Sequence, residues 1–251
     1  MISLICFKEL KSFFKSPIAY VIIGLFSLII GWMFFNQLSY FLENIQKLPV
    51  HMRHEYDFSN EVIIKIFGNV NFLFIFIVPI LTMRTFSEEF KDRTIDLYFG
   101  SVVSDFEFVL GKILAVFIQG LALISTTLIF PIMLANINIS DVTFLLTGYL
   151  GIYLNFIFFA TIGVVASSLV KNQIIAAMLG FVGIITTWMI AVGSQLTSNY
   201  MVTQLLKFMS VNHHFENMVK GYVSLSDLSF YLCFFMFGIL LIKKRLEARK
   251  W

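Results

Sequence analysis

Residues 16–42 read SPIAYVIIGLFSLIIGWMFFNQLSYFL, a run of 27 residues without a single Asp, Glu, Lys or Arg. A helix needs about 20 consecutive apolar residues to cross the hydrocarbon core of a bilayer. The stretch is therefore long enough to form a transmembrane helix. It is also too long for the apolar region of a signal peptide, which predicts that this helix is not cleaved off.

The same pattern recurs along the rest of the chain. Further windows without charged residues lie at 66–83, 113–140, 142–170, 172–206 and 228–242. The chain is 59% hydrophobic and only 13% charged, about half the charged share of a soluble domain. A soluble protein could not bury so much apolar surface. The sequence predicts an all-α membrane protein with six spans, at about 19–41, 66–84, 106–135, 145–169, 174–194 and 228–243.

The N-terminal segment, residues 2–15, carries apolar side chains among lysines at spacings of three and four. Such spacing places them on one face of a helix. We therefore expect an interfacial helix that lies flat on the membrane before Pro17 turns the chain into the first span. The residues of the apolar face are Leu4, Phe7, Leu10, Phe13 and Phe14.

A second amphipathic pattern follows the second span, where residues 84–99 read RTFSEEFKDRTIDLYF. Phe86, Phe90, Thr94 and Leu97 form one stripe, and charges of alternating sign cover the other faces. The pattern predicts a helix on the cytoplasmic surface over 86–99. Such a helix can dock in a groove on a soluble partner and pass motion to the spans that it joins. The alternative is a solvated connecting loop.

The distribution of Lys and Arg predicts the orientation. Thirteen of the 18 fall on the side of the two termini, and five fall on the side of loops 42–65, 136–144 and 195–227. Because cytoplasmic loops carry the excess of basic residues, both termini are expected in the cytoplasm and these loops outside.

Small and polar side chains recur within the predicted spans. Ala176 and Gly180 have the spacing that lets helices approach closely, either within the chain or between two copies. The amide side chains are predicted to form hydrogen bonds between helices. They are Asn36, Gln37, Gln119, Asn155 and Gln195.

Several blocks of the sequence resemble the permease subunits of ABC-2-type transporters. They include the segments Glu9–Phe35, Pro79–Glu89, Ser104–Lys112 and His214–Asn217, and the end Leu246–Trp251. The resemblance is closest to the gliding-motility-associated permease and to the permease of the nitrous-oxide-reductase maturation system. Many of those relatives have Gly before a Thr-Ile pair, where this chain has Arg93.

The resemblance implies roles for two groups of residues. Residues 86–99 would be the coupling helix that docks on an ATPase subunit, and loop 195–227 would form short external helices with a gate. The coupling residues would be Phe86, Ser87, Glu88, Glu89, Phe90, Lys91, Arg93, Thr94, Asp96 and Leu97. The external gate would be His214, Phe215, Glu216 and Asn217.

The resemblance also implies an assembly in the bacterial inner membrane. It would contain two ATPase subunits, a second permease copy as homodimer or heterodimer, and room for another membrane or periplasmic subunit. Lipids are expected as partners and nucleic acids are not. ATP and Mg would be bound by the ATPase, because Gly111 and Lys112 lack the other residues of a phosphate-binding loop. No cofactor, metal or enzymatic activity is therefore expected in this chain.

The alternative interpretation of the sequence is an enzyme, a CAAX-type intramembrane protease. Glu88, Glu89 and Arg93 match its EExxxR pattern, and His213 with Asn217 matches a second part. Its FxxxH element is absent, and the predicted topology places Glu88 and His213 on opposite faces of the membrane.

Overall fold

The structure is a computed structural model that describes residues 1–47, 49, 62–95, 104–134, 142–196 and 199–248. Over these residues the chain forms eleven helices and no strands. The helices are α1 (Ile2–Lys15), α2 (Pro17–Lys47), α3 (Ile64–Thr82), α4 (Arg84–Asp92), α5 (Asp105–Thr127), α6 (Ile129–Leu134), α7 (Val142–Leu169), α8 (Gln173–Leu196), α9 (Tyr200–Met209), α10 (Val211–Val219) and α11 (Leu225–Glu247).

Six helical segments are long and apolar enough to cross a membrane, which confirms the prediction of an all-α, six-span architecture at that level. Each predicted span coincides with one of them. The third is divided, because α5 ends at Thr127 and α6 starts at Ile129. The proline ring of Pro131 would clash with the carbonyl four residues earlier, on Thr127, which explains the break.

The bundle has three central and three peripheral spans. More than half of the apolar windows of α3, α5 and α7 are buried, whereas α2, α8 and α11 bury less than a third of theirs. The centre is close-packed at glycine: a Cβ on Gly163 of α7 would lie 2.1 Å from the Oγ1 of Thr82 on α3. Gly180 of α8 faces the Cα of Gly163, so the close approach predicted for the small residues occurs within the chain.

Helix direction alternates along the bundle, which gives it two distinct ends. α4 lies at the end of α7 that contains Ser167, which bonds to the backbone of α4. α10 lies toward the other end of α7, where Met218 packs on Gly151. Gly151 and Ser167 are 16 residues apart, or about 24 Å along a helix. We call these regions the α4 end and the α10 end.

The helix that follows the second span is shorter than predicted. α4 ends at Asp92, and Arg93 adopts a left-handed conformation with φ 54°. In that conformation the Cβ of a residue other than glycine lies too close to the following carbonyl oxygen. Helices that end with a left-handed residue therefore usually have glycine there. The predicted helix extended to residue 99; residues 96–99, with Asp96 and Leu97, lie outside the described part of the chain.

Arg93→Gly is therefore expected to raise the free energy of unfolding by about 1 kcal/mol, because glycine adopts positive φ without the Cβ penalty. The measurement is thermal unfolding of the purified protein in detergent. Lys91→Gly is the matched control within α4, where glycine should lower stability by a similar amount. A lower melting temperature for Arg93→Gly would contradict the argument.

Candidate functional site

A buried ion cluster joins three helices at the α4 end. The Nζ of Lys112, on α5, donates to the Oε1 of Glu9 on α1 at 3.1 Å and to the Oε1 of Glu89 on α4 at 3.0 Å. It also donates to the carbonyl oxygen of Thr85 at 2.6 Å. We call Glu9, Glu89 and Lys112 the ion cluster. An ammonium group has three N–H donors, so these contacts use all of them.

The ion cluster is shielded from solvent by aromatic rings. The side chain of Lys112 is 2% exposed and that of Glu89 is 10% exposed. The Nζ of Lys112 lies 5.4 Å from the ring centres of both Phe86 and Phe108, a distance at which a cation is attracted to a ring face. The Oε2 of Glu89 is buried without a hydrogen-bond partner among the described residues. Because Glu9 is half-buried, the buried part of the cluster is the pair of Lys112 and Glu89, which depends on its cation.

α1 is held against α5 beside the ion cluster. A Cβ on Gly111 would lie 2.8 Å from the Cβ of Ile5, so the two helices approach closely at that glycine. Cys6 is buried in α1 and forms no disulfide. Burial, and then the nearby Glu9 carboxylate, raises the pKa of the Cys6 thiol. The thiol is therefore protonated at neutral pH and weakly reactive.

α7 fixes the start of α4 from the other side. The Oγ of Ser167 accepts from the backbone N–H groups of Phe86 at 3.0 Å and Ser87 at 3.1 Å. The same hydroxyl donates to the carbonyl of Met83 at 3.0 Å. The first N–H groups of a helix have no partner within it, and Ser167 supplies one from a neighbouring span. α4 is thereby bonded to both α5 and α7.

The apolar face of α4 is buried in this chain, which corrects the expectation that a partner receives it. Phe86 is 0% and Phe90 3% exposed, and the ring of Phe86 meets that of Phe108 edge-to-face at 5.9 Å. Ser87 and Glu89 are buried as well. The exposed predicted coupling residues are instead the polar ones, Glu88, Lys91, Arg93 and Thr94.

A second buried polar pair, His214 and Asp227, lies at the α10 end. The Nδ1 of His214, on α10, lies 2.6 Å from the Oδ1 of Asp227 on α11. Its Nε2 lies 2.9 Å from the carbonyl oxygen of Phe208 on α9. The imidazole stacks on Phe230 with 4.3 Å between ring centres. Since His214 and Asp227 are each 2% exposed, the pair fastens the two short helices to the last span.

Asp227 also starts α11. Its Oδ2 accepts from the backbone N–H of Ser224 at 3.3 Å, and Ser224 and Asp227 together form a capping box. Of the other predicted gate residues, Phe215 is buried and Asn217 is half-buried. Glu216 is exposed, with its carboxylate 4.0 Å from the ammonium of Lys220. The predicted gate group is therefore divided between the interior and the surface.

The residues of the protease alternative are not brought together. Glu88 and Glu89 lie at the α4 end, whereas His213 is on α10 at the other end. Glu89 is bound to Lys112, and Glu88 is exposed. The described part of the chain also contains no group of three or more His, Cys, Asp or Glu side chains that could hold a metal ion.

Two members of the ion cluster, Lys112 and Glu9, were not predicted as site residues. Lys112 was considered only as part of a phosphate-binding motif, and Glu9 only as part of a resemblance. A usable signal existed: Lys112 is the last charge before the 28 uncharged residues 113–140. A lysine so close to a membrane span is costly unless it is paired.

Comparison of the chain with protein-family models and with curated proteins finds no match.

Proposed function

We propose that this chain is the membrane-spanning permease subunit of an ABC-2-type transporter complex, in which a separate ATPase docks on α4. The observation that carries the proposal is the ion cluster, because it bonds α4 to α1 and α5 at one end of a six-span bundle. In this proposal the ATPase binds ATP and Mg, and the chain works with a second permease copy in a bacterial inner membrane.

The position of α4 suits a coupling element. Its apolar face is packed into the bundle, while Glu88, Lys91, Asp92 and Arg93 are exposed. A partner can therefore contact α4 through polar and charged groups without unfolding it. The excess of Lys and Arg on this side of the predicted topology supports a cytoplasmic location, where an ATPase would be present.

The bonds of α4 define how a displacement would spread. A push on its polar face would act on Lys112 through Glu89 and on Ser167 through the backbone of Phe86. Lys112 belongs to α5 and Ser167 to α7, two of the three central spans. Because packed cores shift between discrete arrangements, such a displacement would be transmitted to the α10 end by the spans as rigid bodies.

The test is charge reversal on the exposed face, Lys91→Glu with Arg93→Glu. We expect the tagged chain, purified from its native membranes, to retain ATP hydrolysis activity and the double variant to lose most of it. Each exposed ion pair contributes up to about 1 kcal/mol, and reversal also adds repulsion. Both residues are exposed, so the variant should accumulate normally.

The control is Lys207→Glu with Lys220→Glu, the same change of charge at the α10 end, which should leave the associated ATP hydrolysis unchanged. Full activity in the α4 variant would show that α4 is not the docking element. If no ATP hydrolysis accompanies the unaltered chain, the assignment as an ABC permease is wrong. Phe90→Asp would not serve, because Phe90 is part of this chain's own core.

A further inference from the structure

A cleft of about 120 Å³ opens at the α4 end between α1, α4, α5 and the start of α2. Its lining combines charged members of the ion cluster, Glu9 and Lys112, with four apolar side chains, those of Phe13, Ile18, Leu81 and Val116. One water molecule requires about 10–15 Å³ of such a cavity. The cleft therefore holds about ten water-sized atoms, the size of a small phosphodiester headgroup.

Two free charges lie side by side in this cleft. Arg84 and Glu88 line it from α4 and are both exposed. Neither forms an ion pair or side-chain hydrogen bond with another described residue. They are separated by four positions, so their Cβ atoms lie about 6 Å apart on one helix face. The cleft thus offers a cation and an anion at the spacing of a small dipolar ion.

The other charges of the cleft are already occupied. Lys112 lines it, but its three donors are used by Glu9, Glu89 and Thr85. The charged lining residues are Glu9, Arg84, Glu88 and Lys112, so the lining has two positive and two negative groups and no net charge. A ligand with one phosphate and one ammonium suits this balance better than an anion does.

A buried amide also lines the cleft. Gln119, on α5, is 7% exposed and lines the cleft. Its Oε1 has no hydrogen-bond partner among the described residues, although the sequence predicted an interhelical bond. An amide side chain also offers two N–H donors, and these can bind the ester carbonyl oxygens below a headgroup, which only accept.

We propose that this cleft binds the headgroup of a zwitterionic phospholipid that carries a primary ammonium, such as phosphatidylethanolamine. Arg84 pairs with the phosphate, and Glu88 accepts hydrogen bonds from the ammonium. Gln119 lies toward the ester groups, and the apolar wall receives the first carbons of an acyl chain. The lipid would then lie between the N-terminal helix and the spans, independently of whether an ATPase binds.

The test is native mass spectrometry of the full-length protein titrated with phosphatidylethanolamine, phosphatidylglycerol or phosphatidylcholine of identical acyl chains. We expect phosphatidylethanolamine to bind about fivefold more tightly than the other two, because only its primary ammonium donates charge-assisted hydrogen bonds to the exposed Glu88 carboxylate. Glu88→Gln should abolish this preference while leaving phosphatidylglycerol binding unchanged. Arg84→Gln should weaken binding of all three lipids, because all three carry the phosphate.

Asp92→Asn and Lys91→Gln are the matched controls, since both residues are exposed on α4 but do not line the cleft. Both should retain the lipid preference. Equal binding of the three lipids to the unaltered protein would overturn the proposal, as would an undiminished preference in Glu88→Gln. Displacement of the lipid by equimolar glycerophosphoethanolamine would overturn the assignment to an intact lipid.

Discussion

Lys112→Met is expected to lower the free energy of unfolding by about 3–5 kcal/mol, because it removes the buried cation that bonds to Glu89. Methionine fills most of the volume of the lysine side chain but leaves the buried carboxylate unpaired. The carbonyl of Thr85 also loses its donor. The measurement is thermal unfolding in detergent, together with the amount of protein in the membrane.

The matched variant removes the whole ion cluster, with Glu9→Gln and Glu89→Met added to Lys112→Met. Replacement of a buried charge group by apolar side chains of similar size is often neutral, so most of the lost stability should return. If the cluster also transmits displacement from α4, the triple variant should fold yet fail to couple ATP hydrolysis to its output. Unchanged stability in Lys112→Met alone would show that the cluster is not a buried ionic assembly.

The six spans could be predicted from the sequence, but the contacts between the helices could not. Charge-free windows predict transmembrane helices because a bilayer imposes a minimum apolar length, and all six predicted spans are helices. The break near Pro131 falls at a residue that signals it directly. The end of α4 was harder to predict from the sequence, because a left-handed Arg93 is an unusual way to end a helix.

The direction of the apolar face of α4 could not be obtained from its own residues. The spacing of Phe86 and Phe90 predicts that one face of the helix is apolar. The sequence pattern of that face is the same whether a partner or the chain itself covers it. The cover comes from Phe108 and Ser167, which are 22 and 80 or more residues away in sequence. Only the tertiary packing therefore decides that the free surface of α4 is the charged one.

The α10 end shows the same limit of sequence reasoning. The last span is predicted to start at residue 228, whereas α11 begins at Leu225, where Ser224 and Asp227 form its capping box. His214 was predicted only as a gate residue that the resemblance implies. The pairing of the two joins residues 13 positions apart across a turn, and no periodicity in the sequence indicates such a contact.

The hydrogen bonds of His214 require both of its ring nitrogens. The carbonyl of Phe208 can only accept, and so can an ionised Asp227 carboxylate. Both bonds are therefore made at once only when each ring nitrogen donates, one to the carbonyl and one to the carboxylate. Removal of the ring would leave that carboxylate with the N–H of Ser224 as its remaining described partner.

His214→Leu is accordingly expected to lower the free energy of unfolding by about 3–5 kcal/mol, the cost of an uncompensated buried charge. His213→Leu is the matched control: the neighbouring ring is exposed, so its loss should change stability by no more than about 0.5 kcal/mol. Adding Asp227→Asn to His214→Leu removes the buried charge but leaves an amide oxygen that can accept from Ser224. The double variant should therefore melt at a higher temperature than His214→Leu alone. If it melts at the same temperature or lower, the loss comes from ring packing against Phe230, and the His214–Asp227 pair does not fasten α10 to the last span.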